Sequence, residues 1–189
     1  MLVARPSPKA LLLAPGGKGY KIGVVSSSVH SIHLADEAAT ASLAATIARA
    51  ARPGDVIALS GDLGAGKTSF ARAFIRVLGR GDEDVPSPTF TLVQTYELPA
   101  ATIWHFDLYR LERPDDVLEL GFEDAAAEGG IVLVEWPDRA GGLLPRDRLD
   151  LSLTMGESSG GGPAATARRA ALATQSPAWQ ERLERLFRD

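Results

Sequence analysis

Val56-Ile57-Ala58-Leu59-Ser60-Gly61-Asp62-Leu63-Gly64-Ala65-Gly66-Lys67-Thr68 runs from four consecutive apolar residues into a glycine-rich turn. An apolar run without alternation reads as a strand buried on both faces. From about Lys67 to Leu78 apolar residues recur at helical spacing, and Gly79-Arg80-Gly81 ends that helix. Gly61 to Thr68 matches G-x-x-x-x-G-K-[ST] without a gap. In such a loop the glycines let the backbone approach phosphates closely, consecutive N–H groups point at them, and the helix adds its positive end. An ammonium at Lys67 suits the outer phosphates and a hydroxyl at Thr68 suits Mg²⁺. A chance glycine turn requires neither the buried strand before it nor the amphipathic helix after it, and both are present. The stretch therefore predicts a strand–loop–helix unit that binds a nucleotide through Asp62, Leu63, Gly64, Ala65, Gly66, Lys67, Thr68 and Ser69. Lys67 is expected at a solvent-facing helix start. No Asn-Lys-x-Asp guanine-reading signature occurs, which favours ATP over GTP.

Around this unit strands and helices alternate. Ser31 to Ala35 reads as a first strand, Asp36 as the cap of a helix reaching about Ala51, and Arg52-Pro53-Gly54-Asp55 as the break before the buried strand. Phe90 to Leu98 and Thr102 to Leu108 read as an antiparallel hairpin. Short helices over Pro114 to Leu120 and Glu123 to Ala127 lead to a second buried strand, Ile131 to Glu135. Arg148 to Met155 and Ala167 to Thr174 read as late strands, joined by a glycine-rich loop, and Pro177 to Phe187 as a C-terminal amphipathic helix. The pattern predicts one α/β domain, a P-loop NTPase-like sandwich with a mixed central sheet.

A phosphate loop needs a second Mg²⁺ ligand and a group that positions the attacking nucleophile. Ligands of open α/β sheets bind at the carboxyl ends of the strands, so acids there are the candidates. Glu135 directly follows Ile131-Val132-Leu133-Val134, and Asp107 lies near the end of the strand Thr102 to Leu108, inside Trp104-His105-Phe106-Asp107-Leu108-Tyr109-Arg110. Ser87-Pro88-Thr89-Phe90 follows the loop's helix, where a switch segment would leave Thr89 free to sense the outer phosphate. Trp136 is either a core aromatic or a contact to nucleotide or partner, and His105 reads as a packed histidine rather than a base.

Composition narrows the classes. A net charge of −4 and pI ≈ 5.4 argue against a protein whose main work is coating nucleic acid. With no cysteine, disulfides, thiolate zinc sites and thiol nucleophiles are excluded. A zinc site from histidines would need His30, His33 and His105 to converge. No apolar run is long enough for a membrane span, and the expectation is a cytoplasmic protein without membrane contact. Residues 1–28 read as a flexible Pro/Gly/Ser-rich extension and 29–189 as the P-loop domain.

Four blocks in order, Gly61 to Thr68, Ser87 to Val93, His105 to Leu111 and Glu135-Trp136-Pro137, resemble the TsaE family, bacterial ATPases of tRNA threonylcarbamoyladenosine biosynthesis. The resemblance implies a weak ATPase that works with TsaD-like and TsaB-like proteins in modifying the adenosine beside the anticodon, with tRNA engaged indirectly. It implies phosphate and Mg²⁺ binding at Lys67 and Thr68, Mg²⁺ contact at Glu135, an acid required for hydrolysis at Asp107, and Glu37 near the adenine. Ser69 stands where the family often has Thr, and Ala73 where it often has Gly; the late arginine that some members direct toward the nucleotide is not clearly aligned, with Arg168 and Arg169 as the two candidates. The alternatives are a small-molecule kinase using the same loop and a nucleotide-gated binding module with little hydrolysis. A kinase would want an arginine-bearing lid, and the late glycine-rich loop contains no arginine.

Overall fold

The Val56–Ser60 run forms β2, with Val56 to Leu59 all buried, and it sits at the middle of a seven-stranded sheet. A computed structural model of the chain describes residues 29–79, 81, 84–99, 101–156 and 167–188. The expected extension over 1–28 and the glycine-rich loop at 157–166 lie outside the described residues.

In chain order the elements are β1 (Val29–Leu34), α1 (Glu37–Ala50), β2, α2 (Lys67–Leu78), β3 (Val93–Glu97), β4 (Thr102–Asp107), α3 (Asp116–Glu119), α4 (Phe122–Ala127), β5 (Ile131–Glu135), a 3₁₀ turn (Pro137–Ala140), β6 (Leu149–Met155), β7 (Arg168–Thr174) and α5 (Pro177–Leu186). The sheet order is β1-β7-β6-β2-β5-β4-β3. The β6-β2-β5-β4 core is parallel, and β7, β1 and β3 each run antiparallel to the neighbour they join. The mixed sheet is the one the alternating pattern predicts.

Alternation along the strands sends side chains into two cores. Ile57, Leu59, Leu133 and Leu151 pack with Leu43 and Ile47 of α1, Phe70 and Phe74 of α2, and Trp179 and Leu183 of α5. Val56, Ala58, Phe106, Val132 and Val134 pack on the other side with Val117, Phe122 and Ala125 of α3 and α4. Asp36 caps α1 by accepting from the Ala39 N–H at 2.7 Å, as its position predicts.

The largest shift of a strand boundary is at the start of the hairpin. Phe90 to Leu92 lie outside β3, because Leu92 adopts φ 65° and its N–H donates to the Pro88 carbonyl at 2.6 Å. Threonine and aromatic content drew the strand reading; the turn closed by that hydrogen bond displaces it, and Phe90 stands 81% exposed.

Arg182 fastens α5 to the connection between α1 and β2. Its guanidinium donates to both Asp55 oxygens, at 2.5 and 2.8 Å, and to the Ala50 carbonyl at 2.8 Å, while lying over the Trp179 ring. Arg182 is buried, so Arg182→Ala strands the Asp55 carboxylate with one guanidinium fewer. The expected loss is about 3 kcal/mol, read as a lower urea midpoint at an unchanged slope.

Candidate nucleotide-binding site

Register assembles the site. Leu59 of β2 pairs with Glu135 of β5, and Glu135 pairs with Asp107 of β4. Three adjacent parallel strands thus end side by side, with the glycine loop leaving the first and an acid closing each of the other two. Gly61 has φ 136°, and a Cβ there would lie 2.2 Å from the Leu153 carbonyl oxygen of β6, so glycine alone fits. Gly66 has φ 104° and turns the chain into α2 without a side-chain cap, which leaves the first-turn N–H groups facing the cleft.

Lys67 corrects one expectation: it is 4% exposed, not at a solvent-facing helix start. Its Nζ donates to the carbonyls of Gly61 at 2.7 Å and Asp62 at 2.9 Å and sits 3.7 Å from the Trp136 ring centroid. Burial lowers its pKa from 10.5, against the opposing pull of Glu135, Asp107 and Asp62. Desolvation thus outweighs the pull of the three acids, and an anion entering the cleft would favour the charged form.

Thr68 and Glu135 are joined: the Thr68 hydroxyl donates to Glu135 Oε2 at 2.9 Å. The other oxygen, Oε1, lies 2.9 Å from His105 Nε2, and both side chains are buried. His105 is packed, as read from the sequence, and it is also hydrogen-bonded to the site. Asp107 is 3% exposed. Its Oδ2 accepts from the Thr89 hydroxyl at 2.6 Å and has the Ser87 hydroxyl at 3.1 Å, while Oδ1 accepts from the Tyr109 N–H at 3.2 Å. This corrects the switch reading, which expects Thr89 to be free: the short segment is held on Asp107.

A cleft of about 260 Å³ opens between these groups. Leu63, Gly64, Gly66, Lys67, Thr68, Ser69, Asp107 and Glu135 line it, together with Ser87, Thr89, Tyr109, Trp136 and Arg168. Asp62 and Ala65 belong to the loop but do not line the cleft, and Ala65 is buried beneath it. Glu37 is exposed on the first turn of α1, outside the cleft lining. Alternation along β7 decides between the two late arginines: Arg168 lines the cleft, with its Nε 2.9 Å from a Cβ placed on Gly66, and Arg169 is exposed. Sequence reasoning assigned Tyr109 no role; its place two residues after Asp107 is the available signal, since its ring lies 5.0 Å from that of Trp136.

Among the described residues no three His, Cys, Asp or Glu side chains form a metal-holding group, so the histidines do not build a zinc site. One hydroxyl and one carboxylate suit a hard cation whose remaining ligands are phosphate oxygens and water. The oxygen pair at Thr68 and Glu135 fits Mg²⁺ on those terms. Among the described residues no helix is long and apolar enough to cross a membrane.

Comparison with known proteins points the same way. Residues 34–161 match the family described as threonylcarbamoyl adenosine biosynthesis protein TsaE. The chain is 42% identical over 125 residues to the tRNA threonylcarbamoyladenosine biosynthesis protein TsaE of Rickettsia conorii, covering 66% of this chain and 70% of that one. It is 40% identical over 112 residues to the protein of the same description in Bacillus subtilis, covering 59% and 69%. The crystal structure of YdiB from Bacillus subtilis superposes with a TM-score of 0.71 at 26% identity, over 86% of this chain and 96% of that one. The P-loop NTPase-like fold is the nucleotide-binding one read from the glycine loop, and with the family match extending from β1 past β6, the chain belongs to the TsaE family.

Proposed function

We propose that this chain is an ATP-hydrolysing subunit that supports threonylcarbamoyl modification of the adenosine beside the anticodon in tRNA, together with TsaD-like and TsaB-like proteins in the cytoplasm. The observation that carries the ATPase reading is the Thr68–Glu135 hydrogen bond beside Asp107 at the strand ends, next to a phosphate-type loop. The tRNA reading rests on the description that these relatives share.

The loop amides and Lys67 would bind the phosphates, Lys67 by exchanging the Gly61 and Asp62 carbonyls for phosphate oxygens. Thr68 and Glu135 would hold Mg²⁺, which when bound neutralises charge on the phosphates. Asp107 would orient the attacking water and accept its proton. Glu37 is proposed to meet the adenine end. Support comes from β1, whose Leu34 pairs with Arg168, and Arg168 in turn lies beside Gly66. The start of α1 is thereby brought toward the loop.

Beside the Lys67 ammonium, Arg168 is the one arginine among the described residues lining the cleft, so the expected turnover alone is slow and the partners are expected to raise it. An arginine supplied in trans is worth about 10³–10⁵ in rate where it is used. The test is multiple-turnover tRNA modification by TsaD and TsaB with ATP, with and without this chain. Increased modified tRNA and ATP consumption are expected; no change in either would overturn the reading.

A further inference from the structure

His105 is a buried polar group to which the reading above gives no task. It lies on β4 two residues before Asp107 and is paired with Leu133, while Asp107 is paired with Glu135. It therefore sits one pleat deeper in the sheet than the two acids and faces the same side. Its exposure is 0%, and Nε2 lies 2.9 Å from Oε1 of Glu135. Nδ1 has no hydrogen-bond partner among the described residues. A bare acceptor is tolerated in a core more readily than a bare N–H, which places the hydrogen on Nε2 and makes the ring the donor. A core filler at this position would be better served by an apolar side chain, since an incompletely bonded imidazole is costly to bury. Among the described residues, the hydrogen bond that offsets this burial is the one to Glu135.

That bond divides the carboxylate between two donors: His105 holds Oε1 and the Thr68 hydroxyl holds Oε2. The terminal torsion of a glutamate is broad and weakly restrained by itself. With Oε1 fixed from below, the carboxylate plane is set and Oε2 stays at the mouth of the cleft.

We propose that His105 is a positioning residue that preforms the divalent-cation site by locking the Glu135 carboxylate onto Thr68. The proposal rests on the reading of Thr68 and Glu135 as cation ligands. Groups that orient a metal's carboxylate or imidazole ligands typically contribute 10- to 100-fold to metal affinity. His105 would act on the cation and not on the phosphates, which meet the loop amides and Lys67.

The experiment measures binding of a fluorescent ATP analogue to the full chain as Mg²⁺ is titrated, with a parallel series in EDTA. His105→Leu is expected to raise the Mg²⁺ concentration for half-maximal effect about tenfold and to leave affinity in EDTA near the parent value. His105→Gln, whose amide can donate to Oε1, should recover most of that shift. In a Glu135→Gln background, His105→Leu should add nothing further, because the two act through one contact. If His105→Leu does not fold, His105→Asn, which is polar but too short to reach Oε1, carries the same comparison. A Mg²⁺ requirement unchanged in the His105 variants, or a shift that persists undiminished in the Glu135→Gln background, would overturn the proposal. Absence of any Mg²⁺-dependent binding by the parent chain would instead overturn the cation-site reading on which it rests.

Discussion

Lys67→Ala is expected to weaken ATP binding by about two orders of magnitude, equivalent to about 3 kcal/mol. The lysine is the cation embedded among the loop carbonyls, 2.7 Å from that of Gly61 and 2.9 Å from that of Asp62. Alanine removes the charge-assisted hydrogen bonds that it would transfer to phosphate. Far-UV circular dichroism should remain at the parent level, because α2 is anchored by Phe70 and Phe74 in the core and burial already disfavours the Lys67 charge. Equilibrium titration with ATP and Mg²⁺ provides the measurement. Affinity within a few-fold of the parent would sink the assignment of the loop.

The second large effect concerns turnover. Asp107→Asn should lower partner-stimulated ATP hydrolysis by about 10²–10⁴ while leaving ATP affinity close to the parent value. The substitution keeps the size of the side chain and an oxygen acceptor, but removes the charge that would draw a proton from water. Because Asp107 also holds Thr89 and Ser87, the accompanying control is Thr89→Val, which removes the shorter of the two hydroxyl contacts and retains the carboxylate. Single-turnover hydrolysis with partners present separates the two. A parent-like rate for Asp107→Asn would exclude a proton-accepting role.

The glycine loop, the bounds of α2, the buried strands β2 and β5 and the strand-end places of Asp107 and Glu135 were all legible in the sequence, because each is set by local pattern. Apolar runs, glycine spacing and helix periodicity act over a few residues. What escaped depends on distant partners. The burial of Lys67 comes from the Trp136 ring, held at φ 59° after the end of β5. The capture of Thr89 comes from Asp107, eighteen residues onward. Arg168 could not be told from Arg169 until the pairing of β7 with β6 and β1 fixed which side chain faces Gly66. The boundary of β3 failed for a local reason, since residues with strong strand preference were taken into a turn closed between Pro88 and Leu92.

The sheet order also dictates a sequence of events during synthesis. β1, near the start of the chain, has β7 as its sheet neighbour, and α5 after it is clamped to Asp55 by Arg182. An emerging chain thus carries the complete phosphate loop well before the first strand has anything to pair with. Closing so long a loop is entropically demanding, and contacts between chain ends slow folding relative to local ones. Emergence of β7 is then the step that completes the sheet, and a chain halted before it would present an open strand edge along β6.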